Sequence, residues 1–394
     1  MEQIKLKYLC FSYSTPITQD QIKESGIYKV YGASGLVGYS DDAGCKKDYL
    51  GIIKDGAGVG RISKYEKDSS LLGTMAYIIP FDDVDIDWLK YAVMSLNLSE
   101  SISKTTIPHI YFSDYGNRTV GYCSISEQHR IADFLDRKCA EIDSVIEKTN
   151  QTIEEYKTLK QSIITEAVTK GVRGERPMKD SGIEWIGQIP AEWSVSRVGL
   201  HYDIILGKML CSSQPSDDYT LNKYLCAANV HFDGISDLSN LKEMWFSQTE
   251  KEIYRIKDGD MLVVEGGAGA GGCAIVENIS EDIFIQNSIM IVRSRSRRDN
   301  RYLRYYIEYL VKQGYIDVVC NKATIPHFTK DKLATVPYPV SPNAEQQEIA
   351  DYLDAKCAEI DKLIEAKTKL LEELEAYKKS VIYEYVTGKK EVNL

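Results

Sequence analysis

Two glycine-rich stretches are the residues of this chain best suited to chemistry, because glycine lets a backbone approach a phosphate closely. Gly56-Ala57-Gly58-Val59-Gly60 and Gly267-Ala268-Gly269-Ala270-Gly271 lie 211 positions apart. Neither is followed by Gly-Lys-Ser/Thr, so neither has the cation and hydroxyl of a nucleotide-cradling loop. Two uses remain open: a tight turn between strands, where glycine relieves sterics, or close approach to a DNA phosphate. A second concentration is Arg293, Arg295, Arg297, Arg298, Arg301 and Arg304, interrupted only by Asp299 and interleaved with Tyr302, Tyr305 and Tyr306. It suits phosphate contacts, and a solvated helix face after a strand is the equal alternative. Lys54 and Arg61 flank the first glycine stretch. Lys104-Thr105-Thr106 and Lys322-Ala323-Thr324 each place a cation and hydroxyl beside Ile-Pro-His, which reads either as a backbone-phosphate clamp or as a helix-to-strand junction.

Other catalytic constellations are missing. No two prolines are adjacent, so there is no Asn/Asp-Pro-Pro-aromatic motif and no amino-methyltransferase centre is expected in this polypeptide. Gly-x-Ser-x-Gly and His-Glu-x-x-His are missing too. The five histidines, at 109, 129, 201, 231 and 327, lack ligand spacing, and the nine cysteines include no C-x2-C pair. Reduced thiols, a start without a signal-peptide profile and no run of about 18 uncharged apolar residues lead us to expect a cytoplasmic protein. No catalytic residue, metal site or membrane contact is expected.

The elements that position these residues come in two copies. Glu127–Asp143 (EQHRIADFLDRKCAEID) and Glu345–Asp361 (EQQEIADYLDAKCAEID) are identical at 13 of 17 positions, at an offset of 218. The same offset pairs Ile107-Pro108-His109 with Ile325-Pro326-His327, and Ser162, Ile164 and Glu166 with Ser380, Ile382 and Glu384. Two copies are too few for a solenoid. A heptad seam runs through Leu135, Cys139, Ile142, Ile146, Thr149, Ile153, Tyr156, Lys160, Ile163 and Ala167. Its copy runs from Leu353 to Tyr385. Each helix would span about 40 residues, roughly 60 Å, with Ser124-x-x-Glu127 and Asn343 as caps. The economical packing is copy against copy as an intramolecular coiled coil. Each stripe folding back on its own domain is the alternative.

The net charge of −10 argues at first against nucleic acid, but its distribution does not. Residues 1–125 carry 13 positive and 15 negative charges and residues 191–342 carry 17 and 19, so the acid excess lies chiefly in the repeated segments. The segments between the repeats contain short β-type runs at Tyr49–Ile53, Met75–Ile79, Met261–Val264 and Ser288–Val292, with single helices expected near Asp87–Leu96 and Tyr302–Lys312. The expected fold is α/β (α+β). Two variable domains of mixed strands and helices would be joined by two long antiparallel coiled-coil helices, with a pseudo-two-fold internal repeat.

These motifs, in duplicate, resemble the specificity subunit of type I restriction–modification systems. The resemblance is carried by Lys322–Phe328 (KATIPHF), Val336-Pro337-Tyr338-Pro339, Glu345–Ala350, Leu353-Asp354 and Lys179–Trp193 (KDSGIEWIGQIPAEW). The first unit has no copy of the last segment and reads Val120-Gly121-Tyr122-Cys123 where the second has prolines. The resemblance implies target-recognition domains at 1–125 and 191–342, helices at 126–170 and 343–394, and a linker at 171–190. It also implies that each domain reads half of a bipartite double-stranded DNA target, with the helices as spacer. Two modification (methyltransferase) subunits and restriction subunits would be partners. They would carry S-adenosylmethionine, ATP and Mg, leaving this chain non-catalytic and without a cofactor of its own. The residues expected to meet DNA are Lys54, Gly56, Gly58, Gly60, Arg61, Lys104, Thr105 and Thr106 in the first domain. In the second they are Gly267, Gly269, Gly271, Arg293, Arg295, Arg297, Arg298, Lys322 and Thr324. The competing readings are an enzyme that holds a nucleotide in the glycine loops and a coiled-coil adaptor with no DNA role.

Overall fold

Period-2 and period-3.5 patterning divide the chain into strand-rich and helical stretches, and a computed structural model of the protein follows that division. The structure describes residues 1–98, 101–103, 108–231, 237–239, 241–320 and 326–392. The chain forms two compact units, Met1–Thr152 with Ala366–Leu394, and Ile153–Glu365. The amino-terminal segment folds as β1 (Glu2–Lys5), β2 (Cys10–Ser14), β3 (Tyr28–Gly32), β4 (Gly35–Ser40), β5 (Tyr49–Ile53), β6 (Ile62–Tyr65), β7 (Ser69–Leu71), β8 (Met75–Pro80), α1 (Ile86–Met94), α2 (Phe112–Tyr115) and β9 (Thr119–Tyr122), leading into α3 (Ile125–Lys170). There follow β10 (Met178–Asp180), β11 (Gln188–Pro190), β12 (Ser194–Arg197), α4 (Val198–His201), β13 (Tyr202–Leu206), β14 (Thr220–Leu225), β15 (Lys242–Phe246), α5 (Gln248–Tyr254), β16 (Met261–Val264), β17 (Cys273–Ile275), β18 (Phe284–Ile285), β19 (Ile289–Ser294), α6 (Asn300–Lys312), α7 (Tyr315–Val319), α8 (Lys330–Thr335), β20 (Pro337–Val340) and α9 (Asn343–Val386).

The two variable segments, diverged in sequence, share one topology. Strand order β2-β8-β5-β6 in the first unit matches β13-β19-β16-β17 in the second. The three-stranded sheet β4-β3-β7 matches β15-β14-β18, and the pair β1-β9 matches β12-β20. Each three-stranded sheet contains one parallel pair, β3 with β7 and β14 with β18. The four-stranded sheets are covered on both faces, which is why their central strands read as unbroken apolar runs. Alternate residues serve two cores. Leu50, Ile52, Ala76 and Ile78 join Trp88, Leu89 and the helix residues Ile131 and Leu135, while Tyr49, Ile53, Tyr77 and Ile79 form the core on the other face. In the second unit Met261, Val263, Met290 and Val292 join Tyr302, Ile349 and Leu353, and Leu262, Val264, Ile289 and Ile291 face the other way.

All twenty seam positions on α3 and α9 are buried or half-buried. Within each unit, packing on the domain and packing of helix against helix occur together in one shared core. Toward its start α3 packs Ile131, Leu135 and Cys139 on the first unit's sheet together with Val381, Ile382 and Val386 of α9. Toward its end Ile164, Ala167 and Val168 share the second unit's core with Ile349, Leu353 and Cys357. The seam lysines reach across: Lys378 Nζ donates to Asp143 at 2.6 Å, and Lys160 Nζ to Asp361 at 2.7–2.8 Å. Each bridge is the other's copy at the repeat offset, and both pairings are antiparallel. Ser124 caps α3 weakly, accepting from Glu127 N at 3.4 Å. Asn343 is the first residue within α9 rather than its cap: Glu345 N and Gln346 N donate to Pro342 O, and the Asn343 side-chain amide donates to Ser296 O at 2.9 Å.

Residues 171–190, expected to be a linker, are folded. β10 pairs with β11, and Ile186 and Ile189 enter the second core. Trp193 is fully buried, donates Nε1 to Glu345 Oε2 at 3.0 Å, and carries the Arg176 guanidinium 5.3 Å over its ring. Arg176 also pairs with the buried Glu345 at 2.6 Å. The KDSGIEWIGQIPAEW segment thus clamps the first turn of α9. Among the described residues no helix is long and apolar enough to cross a membrane.

Because Leu353 is fully buried beneath the second unit's sheet, Leu353→Ala should cost about 2–5 kcal/mol. Leu135→Ala, its copy in the first unit, should cost a similar amount. Urea unfolding of each variant checks this, with a lowered midpoint expected.

Candidate nucleic-acid interface

The glycine stretches are hairpin loops of one design. Gly60 N donates to Ile53 O at 2.9 Å, and Gly271 N to Val264 O at 3.0 Å. Arg61 N donates to Gly58 O at 3.1 Å, and Gly272 N to Gly269 O at 2.8 Å. Gly56 and Gly60, like Gly267 and Gly271, have positive φ of 82–97°. A Cβ at Gly56 or Gly267 would meet nothing within 4 Å, so glycine is required there by backbone conformation rather than by space. Gly58 and Gly269 lie between them without that requirement. Several loop N–H groups are therefore engaged inside the protein, and the turn between strands is the reading the geometry supports.

Each hairpin is joined to the Pro-His turn of its own unit. Gly56 N donates to Pro108 O at 2.9 Å and Gly267 N to Pro326 O at 3.1 Å. Ile110 N donates to Lys54 O and Phe328 N to Glu265 O, and His109 and His327 form bridge pairs with Asp55 and Gly266. Two motifs distant in sequence thus make one composite edge, twice. Lys104, Thr105, Thr106, Lys322 and Thr324, just before these turns, lie outside the described residues. His327, with an exposed side chain, sits 3.3 Å from Glu265 Oε2.

The basic residues separate by role. Lys54, only 16% exposed, is paired with Asp55 at 2.6 Å. Arg61 is exposed and donates to Ala33 O. Arg293 grips buried Asp260 with both arms of its guanidinium, at 2.7 and 2.6 Å, so its planar fork is already occupied. Arg295 pairs with Asp203 at 2.7 Å. Arg298 is half-buried, and its charge joins burial in pushing the His201 imidazole below its ordinary value. Arg301 binds Asp299, Asp351 and Asp354, and buried Arg304 pairs with Glu308. Arg297 is exposed at φ +56° and has no ion-pair partner among the described residues. The arginine run is thus largely a fastening between sheet, α6 and α9.

That fastening contains a duplicated bond that sequence reading missed. Tyr91 Oη donates to Asp136 Oδ1 at 2.6 Å, and Tyr305 Oη to Asp354 Oδ1 at 2.8 Å. Gln128 donates to Cys123 O and Gln346 to Ser341 O, again at the repeat offset. The aspartates lie in the quoted repeat, but the tyrosines lie in diverged sequence at an offset of 214, where no alignment signal marks them. Burial alone would raise Asp136, yet hydrogen bonds from Tyr91 and Lys90 hold it below the usual carboxylate range.

The surfaces these frames present differ. Phe81 N donates to Leu9 O and Arg295 N to His201 O, so Phe81 and Arg295 occupy equivalent places, as do Phe11 and Asp203. The first unit has a stacked, exposed Phe11–Phe81 pair with centroids 6.2 Å apart. The second has the Arg295–Asp203 ion pair in a cleft of about 430 Å3 that also holds Arg293 and Lys330. The nine cysteines are free. Burial pushes Cys10 and Cys273 up to about 12 and Cys123 and Cys357 to about 11, so these thiols are held protonated. Among the described residues no group of three or more His, Cys, Asp or Glu is placed to hold a metal ion.

Residues 1–155 and 222–376 match the type I restriction modification DNA specificity domain. The chain belongs to that family. A type I restriction enzyme MjaVIII specificity subunit of Methanocaldococcus jannaschii is 26% identical over 352 residues, 86% of this chain and 78% of that protein. The specificity subunit assigned to enzyme MjaX of the same organism is 28% identical over 305 residues, which is 76% of this chain. The match covers 64% of that relative, less than two thirds of its length. A chain solved in work on complex assembly and conformational transition of the type I R-M system superposes with TM-score 0.72 at 17% identity, covering 99% of this chain and 98% of that one. The HsdS subunit from Thermoanaerobacter tengcongensis gives 0.51 at 16% identity, covering 99% and 97%. At these identities the solved structures speak for the specificity-subunit fold alone.

Gly56→Ala or Gly267→Ala forces a methyl-bearing residue into the left-handed region and should cost about 1–2 kcal/mol. Thermal melting together with proteolysis of the hairpin checks this; an unchanged melting temperature would contradict it. The Asp136 contribution, from a carboxylate held low in the folded state, is present above about pH 4 and lost as pH falls through the folded value. Asp136→Asn should therefore flatten the acid limb of stability measured by urea unfolding at several pH values.

Proposed function

We propose that this chain is the DNA-reading subunit of a type I restriction–modification assembly, with each variable domain recognising one half of a split target. One observation carries this reading. The same three-sheet frame occurs twice, fixed to like helices by like bonds, yet offers stacked aromatics in one copy and an ion pair in the other. Two different half-sites need such an arrangement. A nucleotide-binding enzyme or a plain adaptor does not. In each domain the edge made by the glycine hairpin and Pro-His turn would approach DNA, with Gly56, Gly58 and Gly60, or Gly267, Gly269 and Gly271, keeping it slim. Lys104, Thr105, Thr106, Lys322 and Thr324 would supply phosphate contacts. Arg61, Arg295 and Arg297 are exposed cations suited to the same task, whereas Lys54, Arg293 and Arg298 would act by holding the frame.

Protein partners would bind the helices. Beside the seam, Val145 and Tyr377 in the first unit and Leu159 and Leu363 in the second are 41–50% exposed. These four positions form two pairs at the 218-residue offset, a repeated apolar feature on otherwise charged helices. Two like features fit two modification subunits. S-adenosylmethionine, ATP and Mg would reside on those and on restriction subunits, with this chain supplying position rather than catalysis.

Expression with the modification subunit should yield methylated adenines at a two-part motif with a fixed gap, read by mapping modified bases with and without this gene. Methylation without such a motif would overturn the reading. Inserting seven residues at equivalent points of α3 and α9 should lengthen the gap, since about 10 Å of helix is added. Arg297→Ala should weaken DNA binding and lower the salt slope by about 1, measured by titration at several ionic strengths.

A further inference from the structure

At the carboxyl end of α3, the second unit contains an open cleft of about 650 Å3. Ile163, Ala167, Val172, Met178 and Tyr352 line it, and Tyr352 is 38% exposed. The repeat provides a copy of this place inside the first unit. At the offset of 218, Ala167 answers to Tyr385 and Tyr352 to Phe134. There the rings of Phe134 and Tyr385 pack with centroids 4.3 Å apart. The second unit has a methyl group where the first has a phenol, and its Tyr352 ring is left partly uncovered. The same frame therefore fills this position with an aromatic ring in one unit and, in the other, has a buried methyl group beside a cleft onto which Tyr352 is partly exposed.

We propose that this cleft is a seat for an aromatic side chain of a protein partner, held against Tyr352 as Tyr385 is held against Phe134. The rim narrows the chemistry. Arg176 is already engaged by Glu192 and Glu345. Exposed Glu166 and Glu175 stand against Lys170 alone, beside the negative carbonyl end of α3. The matching partner segment is a Phe or Tyr flanked by Lys or Arg. An aromatic anchor in a pocket is the usual centre of a binding hot spot. Because the first unit fills its own copy, this seat distinguishes the second unit. The proposal rests on the reading that the helices carry protein partners.

Ala167→Tyr closes the cleft with the residue that the repeat itself uses, and Tyr352→Ala removes its floor. The full chain is titrated calorimetrically with the modification subunit, and its melting temperature is recorded alongside. Both variants are expected to lose tenfold or more in affinity for one bound copy of that subunit. Because Ala167 is buried in the second core, Ala167→Tyr is also expected to melt lower than the parent, and Tyr352→Ala is the variant that must fold as the parent does. Unchanged affinity in both variants overturns the seat, and Tyr352→Ala keeps the test open if the larger side chain disturbs folding. Leu363→Asp separates the two ideas. If it abolishes association while Ala167→Tyr and Tyr352→Ala do not, the helix-borne partner stands and the seat falls. If Leu363→Asp also leaves association intact, both fall together.

Discussion

The apolar stripe on each long helix has to be covered over about 69 Å for the 46 residues of α3, and no single surface does this. Near the start of α3 the cover is the first unit's sheet and α1, and near its end it is the second unit's core, with α9 contributing in both units. The variable domains are therefore part of what keeps the helices dry. A domain that failed to fold would expose Leu135 or Leu353 and destabilise its stretch of helix. This shared cover explains the bonds at the joint. Tyr91 with Asp136 and Tyr305 with Asp354 put a charge-assisted hydrogen bond beside the apolar contact, where geometry is already fixed and little further ordering is needed.

The same constraint leaves the rest of each domain free to vary. Only the residues of the four-stranded sheet and the helix on it must match the constant helices, and those residues alternate along their strands. The intervening residues and the loops answer to a second core or to solvent. Asp203 and Arg295 can thus stand where Phe11 and Phe81 stand without disturbing the strand pairing beneath them. Divergence confined to such positions changes what a domain presents while keeping where it is presented from.

Much of this organisation was legible in the sequence. The repeat, the seam, strands β5, β8, β16 and β19, and helices α1 and α6 follow from periodicity alone, because burial on two faces or along one stripe writes directly into residue order. The folded state of 171–190 was hidden. Its glycines at 171, 174, 182 and 187 do take positive φ as turn residues should, but Trp193 and Glu345, which make the segment structural, lie 152 residues apart. The arginine run was legible as charge and not as role. Sequence shows six cations near one another, whereas the bound carboxylates come from Asp203, Asp260, Asp351 and Asp354, which only the fold brings in.

The hairpins show how a motif can be legible in sequence while its glycines serve the turn rather than a ligand. A glycine loop that binds phosphate does so with unpaired N–H groups. Here the N–H groups of Gly56, Gly60 and Arg61 and their copies are bound to Pro108, Ile53, Gly58 and the matching carbonyls. What glycine contributes is the left-handed turn that lets the strand reverse within seven residues and meet the Pro-His segment edge to edge. The result is a narrow, rigid rim without bulky side chains, whose tip residues Ala57 and Ala268 are exposed. The glycines act by keeping that rim thin, and what it presents is set by the residues along it.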